Sequence, residues 1–141
     1  PASHNTLDVL ESVRMTSLKQ KDALLDATWL TSAHALDLAT RQSAATFGLG
    51  DSLGALLPGY RADIVLIDLR RPHVQPLHDL AAALVLSARS SDVTTVLVDG
   101  RVLVENGRLL TLDPMGAAEE LTRRIPELTD RSRGSIQEYA P

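Results

Sequence analysis

The sequence contains no cysteine and very few aromatic residues, and each shortage excludes a class of protein. Without cysteine among its 141 residues the chain can form no disulfide bond, thiolate metal site or cysteine nucleophile, which favours a cytoplasmic protein. One Trp, one Phe and two Tyr provide no row of rings on which nucleic-acid bases could stack. The core is therefore expected to consist of Leu, Val, Ala and Ile.

Positive charge and long apolar runs are scarce as well. The formal net charge is −4, and only Arg70-Arg71 and Arg123-Arg124 form adjacent basic pairs, so a phosphate-binding surface is not indicated. The longest apolar run, residues 80–86, falls far short of the about 20 residues that a membrane helix needs, and no charged-then-apolar leader begins the chain. We predict no nucleic-acid partner and no membrane partner.

Near the start of the chain, apolar residues recur at the spacing of an amphipathic helix. This stripe consists of Leu7, Leu10, Val13 and Leu18. Asn5 or Thr6 is placed to cap the helix, and a short link is expected at residues 21–22. We expect the stripe to pack against another part of the protein.

A second helix is predicted from Thr31 or Ser32 to Phe47, with an alanine-rich stripe that suits close packing. Gly48 and Gly50 follow it, and glycine adopts the left-handed conformation after a last helical turn at little cost. The first 50 residues are therefore predicted to be helical.

Residues 62–69 are predicted to form the strand around which the rest of the chain is organised. A turn at Pro58-Gly59 precedes it, and the residues from Ile64 to Ile67 are all apolar rather than alternating. Such a run is typical of a strand that is covered on both faces. We therefore expect a buried central strand.

A helix and a hairpin are predicted after this strand. Asp79 is placed to cap the helix, which is expected to reach residue 87. Residues 93–99 and 102–105 are expected to pair as a hairpin, because Asp99-Gly100 supplies the positive φ of a tight turn.

The end of the chain is predicted to contain a second tight turn and a last helix. Asn106-Gly107 has the composition of the turn. Asp113-Pro114 is expected to begin the helix, and Pro126 is expected to interrupt or kink it.

The segment Gly50-Asp51-Ser52-Leu53-Gly54 matches the G-x-S-x-G pattern of serine hydrolases and the GDSL signature of an esterase family. A nucleophilic serine of this kind follows a strand and precedes a helix, whereas here a helix precedes and a strand follows. No histidine in the chain has an aspartate three residues before it. We therefore predict a glycine turn, and an esterase using Ser52 is the disfavoured alternative, which would lose its activity in Ser52→Ala.

The four histidines do not form a recognisable metal motif. They are His4, His34, His73 and His78. Neither His-x-His nor His-Glu-x-x-His occurs. His73, His78 and Asp79 could converge on a metal from one loop, but hydrogen-bonding roles are the favoured interpretation. We assign no catalytic residue and no metal ligand to the chain.

Two glycine-containing motifs occur in the chain, and each is followed by a strand. Gly54-x4-Gly59-x2-Ala62-Asp63 is followed by an apolar strand, and Val98-Asp99-Gly100-Arg101 is followed by a second strand. With the flanking segments, this order resembles the C-terminal part of metal-dependent amidohydrolases, in the branch that contains chlorohydrolases, aminohydrolases and deaminases. The resemblance covers nearly the whole chain and is specific for the family, though not for a substrate.

The resemblance implies an α/β fold, in which a (β/α)8 barrel joins a small β-sandwich. Residues 1–50 would be helices at the end of the barrel, residues 51–112 a sandwich segment with one inserted helix, and residues 113–141 a C-terminal helix and tail. The family's chemistry lies at the C-terminal ends of the barrel strands. The metal ligands would all precede this sequence, as though it were cut just after the last of them.

The function that the resemblance implies is hydrolysis of a C–N bond, by deamination, or of a C–Cl bond in a small heterocyclic substrate. A divalent metal, zinc or iron, would serve the full-length enzyme. Ser3, His4 and Asn5 would follow the end of the last barrel strand and approach the substrate. The capping preference of Ser and Asn favours the alternative that Ser3 and Asn5 only begin the next helix.

The isolated chain is expected to be inactive and to pair with other protein. A sandwich without its other strands leaves an open edge, and a barrel helix without its barrel exposes its apolar stripe. We therefore expect a homo-oligomer or pairing with the missing N-terminal part. The alternative is a free-standing structural or interaction domain that pairs through its sheet with another polypeptide.

Overall fold

The computed structural model describes residues 6–128. The chain divides after Arg108 into two compact units. The first unit contains four α-helices, two π-helical turns and most of an antiparallel sheet. The second unit contains one further helix.

The helical elements of the first unit are short, apart from the first. In chain order they are α1 (Val9–Leu24), α2 (Ser32–Asp37), a π-helical turn (Leu38–Gln42), α3 (Ser43–Thr46), α4 (Leu80–Ala82) and a second π-helical turn (Ala83–Ser87). Two 3-10 turns, Pro72–Val74 and Ser90–Asp92, flank α4 and the π turn that continues it. Residues 32–46 are continuously helical, so the predicted second helix is present, with a π turn that the sequence did not indicate.

The limits of α1 differ from the prediction. The capping residue is Asp8, whose carboxylate accepts a hydrogen bond from the Glu11 N–H at 3.1 Å, and not Asn5 or Thr6. The helix also has no link at residues 21–22. It continues to Leu24 and ends at Leu25, which takes a left-handed conformation with φ of +50°.

The apolar stripe of α1 is only partly packed. Leu7 is 79% exposed and Leu18 is 46% exposed, although Leu10 and Val13 are half-buried. The buried side chain of α1 is that of Ser17, whose hydroxyl donates to the Leu30 carbonyl at 3.2 Å. Within the described residues the stripe is therefore partly exposed, and its packing against the rest of a larger protein stays a prediction.

The strands form one antiparallel sheet in the order β1 (Ile64–Ile67), β2 (Val93–Val98), β3 (Arg101–Glu105) and β4 (Arg108–Leu109). This order places β1 at an edge of the sheet, where its side chains Val65 and Leu66 are 54% and 50% exposed. The prediction of a buried central strand is therefore wrong. A continuous apolar run indicates that a strand needs cover on both faces, but it does not determine where the strand lies in the sheet.

Two tight turns connect the later strands, as predicted. Asp99 and Gly100 have φ of +51° and +77°, and Asn106 and Gly107 have φ of +51° and +73°. Two consecutive positive φ values are those of the type I′ turn, whose twist matches the twist of the paired strands. The hairpin of β2 and β3 is thus confirmed.

The buried apolar residues of the first unit all lie outside its strands. They are Ala35, Val74, Ala83, Val85 and Ala88. In the sheet, the neighbouring cross-strand pairs Ile64–Leu97 and Val65–Val96 project to opposite faces, so both faces carry apolar side chains. No described strand residue is buried.

The second unit contains the helix α5 (Pro114–Leu128). Pro114 lies at its first position, as predicted. Pro126 lies inside the helix, so the helix is not interrupted there, and a kink at Pro126 stays a prediction. No helix within residues 6–128 has both the length and the apolar composition to cross a membrane.

Candidate functional site

The two glycine-containing motifs meet in the structure. The Asp63 carboxylate accepts a hydrogen bond from the Asp99 N–H at 2.7 Å, and the Ala62 carbonyl accepts one from the Gly100 N–H at 3.1 Å. The Ala62-Asp63 pair just before β1 therefore holds the Asp-Gly turn of the β2–β3 hairpin. This contact could not be predicted from local sequence signals, because 36 residues separate Asp63 from Asp99.

Ser52 lies in a turn between the second helical segment and β1. Its hydroxyl donates to the Leu49 carbonyl at 3.3 Å rather than to an imidazole. The Arg61 N–H donates to the Ser52 carbonyl at 2.9 Å, and the Tyr60 hydroxyl donates to the Gly50 carbonyl at 2.9 Å. These bonds close the loop on itself, which agrees with the predicted structural turn.

At Gly54 this loop packs closely against the second helical segment, residues 32–46. Its φ is +89°, and a Cβ atom built on it would lie 2.8 Å from the Arg41 Cα and 2.9 Å from the Thr40 carbonyl oxygen. Those distances are too short for any side chain, so the motif requires glycine here. The first glycine of the motif therefore has a packing role.

The disfavoured alternative, in which His73, His78 and Asp79 converge on a metal, is not present among the described residues. His73 Nε2 instead lies 2.8 Å from the Asp92 carboxylate, and Asp79 caps α4 by accepting from the Ala82 N–H at 2.6 Å. Within residues 6–128, no three His, Asp or Glu side chains are placed to hold a metal ion. The described residues therefore do not fit a metal, and we derive no metal-dependent step from them.

Asp92 is the buried acidic group of the sheet region. Its side chain is 3% exposed and also accepts the Arg89 N–H at 2.9 Å. Burial raises the pKa of Asp92, but the hydrogen bonds from His73 and from the Arg89 N–H outweigh it and leave the pKa lowered. His73 thus joins the loop after β1 to the start of β2, in the hydrogen-bonding role favoured from the sequence.

Arg14 connects α1 to the helical segment before β2. Its Nε donates to the Val85 carbonyl at 3.1 Å, and its Nη2 donates to the Ala88 carbonyl. Arg14 lies outside the apolar stripe of α1. No local signal could have found these partners, which lie more than 70 residues away along the chain.

The predicted substrate-adjacent residues Ser3, His4 and Asn5 lie outside the described residues, so their role stays a prediction. His34, the remaining histidine, is exposed at the start of α2. In the described residues, the two motifs hold β1 and the hairpin turn together, and no set of catalytic groups is present.

Comparison with known proteins decides the family. The model of the Amidohydrolase family matches residues 1–103. The chain belongs to the amidohydrolase family. The match includes α1, the second helical segment, the Gly54–Asp63 motif and the hairpin turn, so the resemblance seen in the sequence is confirmed.

Several relatives in this family are named 5-methylthioadenosine/S-adenosylhomocysteine deaminase. The protein of that name from Pelotomaculum thermopropionicum is 44% identical over 92% of this chain, and the one from Desulforudis audaxviator is 42% identical over 89%. In both comparisons the chain spans about 30% of the length of the relative. The activity of a whole protein of this kind is therefore a proposal for this chain.

Solved structures of family members have the same fold over this region. An adenosine deaminase from Xanthomonas campestris with bound zinc superposes with a TM-score of 0.86 and 30% identity, covering 90% of this chain and 29% of that one. An atrazine chlorohydrolase from Arthrobacter aurescens TC1 complexed with zinc gives a TM-score of 0.75 and 34% identity, covering 83% and 26%. Short helices with a small antiparallel sheet are thus a shared part of the family fold.

Proposed function

We propose that this chain is the C-terminal portion of a metal-dependent amidohydrolase that deaminates an adenine-containing nucleoside. The observation that carries the proposal is the 44% identity, over 92% of the chain, to a 5-methylthioadenosine/S-adenosylhomocysteine deaminase. In the reaction, water supplies an oxygen atom to the ring carbon and the exocyclic amine leaves as ammonia. Cleavage of a C–Cl bond is the second candidate, supported by the likeness to the atrazine chlorohydrolase.

We further propose that the metal ligands come from protein that this chain does not contain. The described residues hold no suitable group, whereas the solved relatives were crystallised with zinc. The metal content of the purified enzyme distinguishes zinc from iron. Ser3, His4 and Asn5 are proposed to lie at the barrel mouth, near the substrate.

The proposed architecture is a (β/α)8 barrel with a β-sandwich. Residues 1–50 would contribute to the barrel, residues 51–112 to the sandwich and residues 113–141 to a C-terminal helix and tail. Two observations support the sandwich: the sheet has apolar side chains on both faces, and none of its described residues is buried. A second layer would cover such a sheet.

The first test is the intact mass and metal content of the enzyme purified from its natural source. A mass about three times that of this 15.2 kDa chain, with bound divalent metal, is expected from the share of the relatives that the chain spans. Ammonia release should then be assayed with 5-methylthioadenosine, S-adenosylhomocysteine and adenosine, and chloride release with atrazine. Deamination of a nucleoside supports the proposal, and chloride release alone would favour the second candidate.

A mass equal to that of the chain, without metal, would contradict the catalytic proposal. The alternative of a free-standing interaction domain would then apply, although the comparisons do not favour it. The cytoplasmic location and the homo-oligomeric state both stay predictions.

A further inference from the structure

We propose that Asn106 is a site of spontaneous deamidation, which the folded turn between β3 and β4 suppresses and opening of that turn permits. The chain contains two asparagines, and Asn106 is the one that glycine follows. Asn106 and Gly107 are both exposed to solvent and form the type I′ turn. The site does not depend on any catalytic activity of the protein.

The modification needs water and no other reactant. The Gly107 backbone nitrogen attacks the side-chain carbonyl carbon of Asn106, and the bond from that carbon to the side-chain nitrogen breaks. The side-chain nitrogen takes up the proton of the Gly107 N–H and leaves as ammonia, so that a succinimide ring remains. Water then opens the ring at either carbonyl carbon and gives aspartate or isoaspartate.

The sequence at this position favours the attack. Glycine has no Cβ atom that would shield its backbone nitrogen. Asparagine is also among the thermolabile residues of proteins. The Asn106-Gly107 pair therefore has the local chemistry that the modification requires.

The folded turn holds the attacking nitrogen in a hydrogen bond. The Gly107 N–H donates to the Thr94 carbonyl of β2 at 3.0 Å. The nitrogen must give up its proton and turn towards the Asn106 side chain, so this hydrogen bond has to open before the attack. The intact turn therefore slows deamidation.

The turn lies in a part of the chain where local opening is easy. The strand β4 that follows it has two residues, both exposed, and the chain divides into its compact units after Arg108. Short exposed segments with few packed side chains open locally at lower free energy than the core does. Local opening of the turn, rather than unfolding of the whole protein, therefore sets the rate.

The two products fit the turn differently. In the β2–β3 turn, Asp99 and Gly100 have φ of +51° and +77°, close to the +51° and +73° of Asn106 and Gly107. Aspartate at position 106 therefore fits the same turn. Isoaspartate adds an atom to the main chain, which a two-residue turn cannot accommodate without a change of strand register. Isoaspartate is thus the product that loosens this end of the sheet.

The test incubates the full-length protein in mildly alkaline buffer, with and without enough guanidinium chloride to unfold it. Trypsin cleaves after Arg101 and Arg108 and releases residues 102–108. Chromatography with mass spectrometry separates the asparagine, aspartate and isoaspartate forms of this peptide. Asn106→Gln is the matched control, because it keeps the side-chain amide but would have to close a larger, less favourable ring.

We expect deamidation of Asn106 to be at least about tenfold faster in guanidinium chloride than in native buffer, since folding keeps the turn closed. The Asn106→Gln peptide should stay unmodified in both buffers over the same time. An unmodified wild-type peptide in guanidinium chloride would overturn the site itself. Equal rates in the two buffers would overturn the protection by the folded turn.

Hydrogen exchange of the full-length protein tests the difference between the products. Asn106→Asp should exchange like the wild type in residues 102–109, whereas wild-type protein aged until it carries isoaspartate should exchange faster there. Equally fast exchange in Asn106→Asp and in the aged protein would show that the added charge, and not the longer main chain, loosens the turn. These measurements use no substrate, so failure of the proposed function leaves them unaffected.

Discussion

At the scale of single residues, Gly54 is a position at which the structure leaves no room for a side chain. An alanine there would combine a φ of +89° with a Cβ 2.8 Å from the Arg41 Cα. We expect Gly54→Ala to lower the free energy of unfolding by about 2–4 kcal/mol. Urea unfolding of the purified protein measures this loss.

Gly59 provides the matched control for that substitution. It has the same φ of +89°, but an added Cβ would meet no heavy atom within 4 Å among the described residues. Gly59→Ala should therefore cost only the left-handed conformation, about 1 kcal/mol. Equal losses in the two variants would show that the close approach of Gly54 to the helix does not matter.

Asp68 determines part of the response to acid. The hydrogen bond from the Arg70 side chain, helped by the Arg70 N–H, lowers the pKa of Asp68 from 3.8 to about 2. A lowered folded-state pKa means that the stabilisation is complete above about pH 4 and is lost as the pH falls towards 2. The stability difference between the wild type and Asp68→Asn should therefore be present at pH 6 and disappear near pH 2.

The measurement is the urea midpoint of both proteins between pH 2 and pH 7. Asp51→Asn is a control in an exposed turn and should follow the wild-type curve. A constant difference between Asp68→Asn and the wild type over the whole pH range would contradict the assigned role of the carboxylate.

At the scale of elements, the contact between β1 and the hairpin turn is the feature that joins the two family motifs. Asp63→Ala would remove the acceptor for the Asp99 N–H, whose hydrogen bond measures 2.7 Å. We expect a loss of about 1 kcal/mol in the free energy of unfolding. Asp63→Asn keeps an acceptor oxygen and should lose less than half as much.

Thermal or urea unfolding of the two variants tests this contact. Hydrogen exchange at the Asp99 amide is the local measurement, because it should accelerate in Asp63→Ala before the rest of the sheet does. If the two variants are equally stable and exchange at the same rate, the acceptor oxygen is not what holds the turn.

At the scale of the whole molecule, exposed apolar surface is expected to make the isolated chain associate with itself. The edge strand β1 presents the exposed side chains of Val65 and Leu66, and one of its sides pairs with no other described strand. Such an edge pairs readily with another chain. We expect the isolated 141-residue chain to elute above its 15.2 kDa mass in size-exclusion chromatography with light scattering.

A charge on the edge should reduce this association. Leu66→Lys is expected to shift the chain towards the monomer, because charged edge residues oppose strand pairing. Leu112→Lys, at an exposed apolar residue outside the strands, is the control and should leave the elution unchanged. A wild-type chain that is already a uniform monomer would contradict the expectation.

Much of the local structure could be predicted from the sequence, because its signals lie within a few residues of one another. Thr31 and Asp79 cap the helices that they were expected to cap, and both tight turns occur where glycine follows Asp or Asn. The limits of α1 were missed, because several polar residues compete as caps near its start, and the one that accepts from the Glu11 N–H is Asp8.

The sequence by itself thus determined the helices, the hairpin turns and membership of the family, since motif order and local spacing carry that information. Only the tertiary structure decided that β1 is an edge strand and that Asp63 holds the hairpin turn. The same is true of the hydrogen bond between His73 and Asp92 and of the one from Arg14 to the Val85 carbonyl. Those contacts join residues between 19 and 71 positions apart. Which distant residues meet depends on how the elements pack, and neither composition nor periodicity encodes that choice directly.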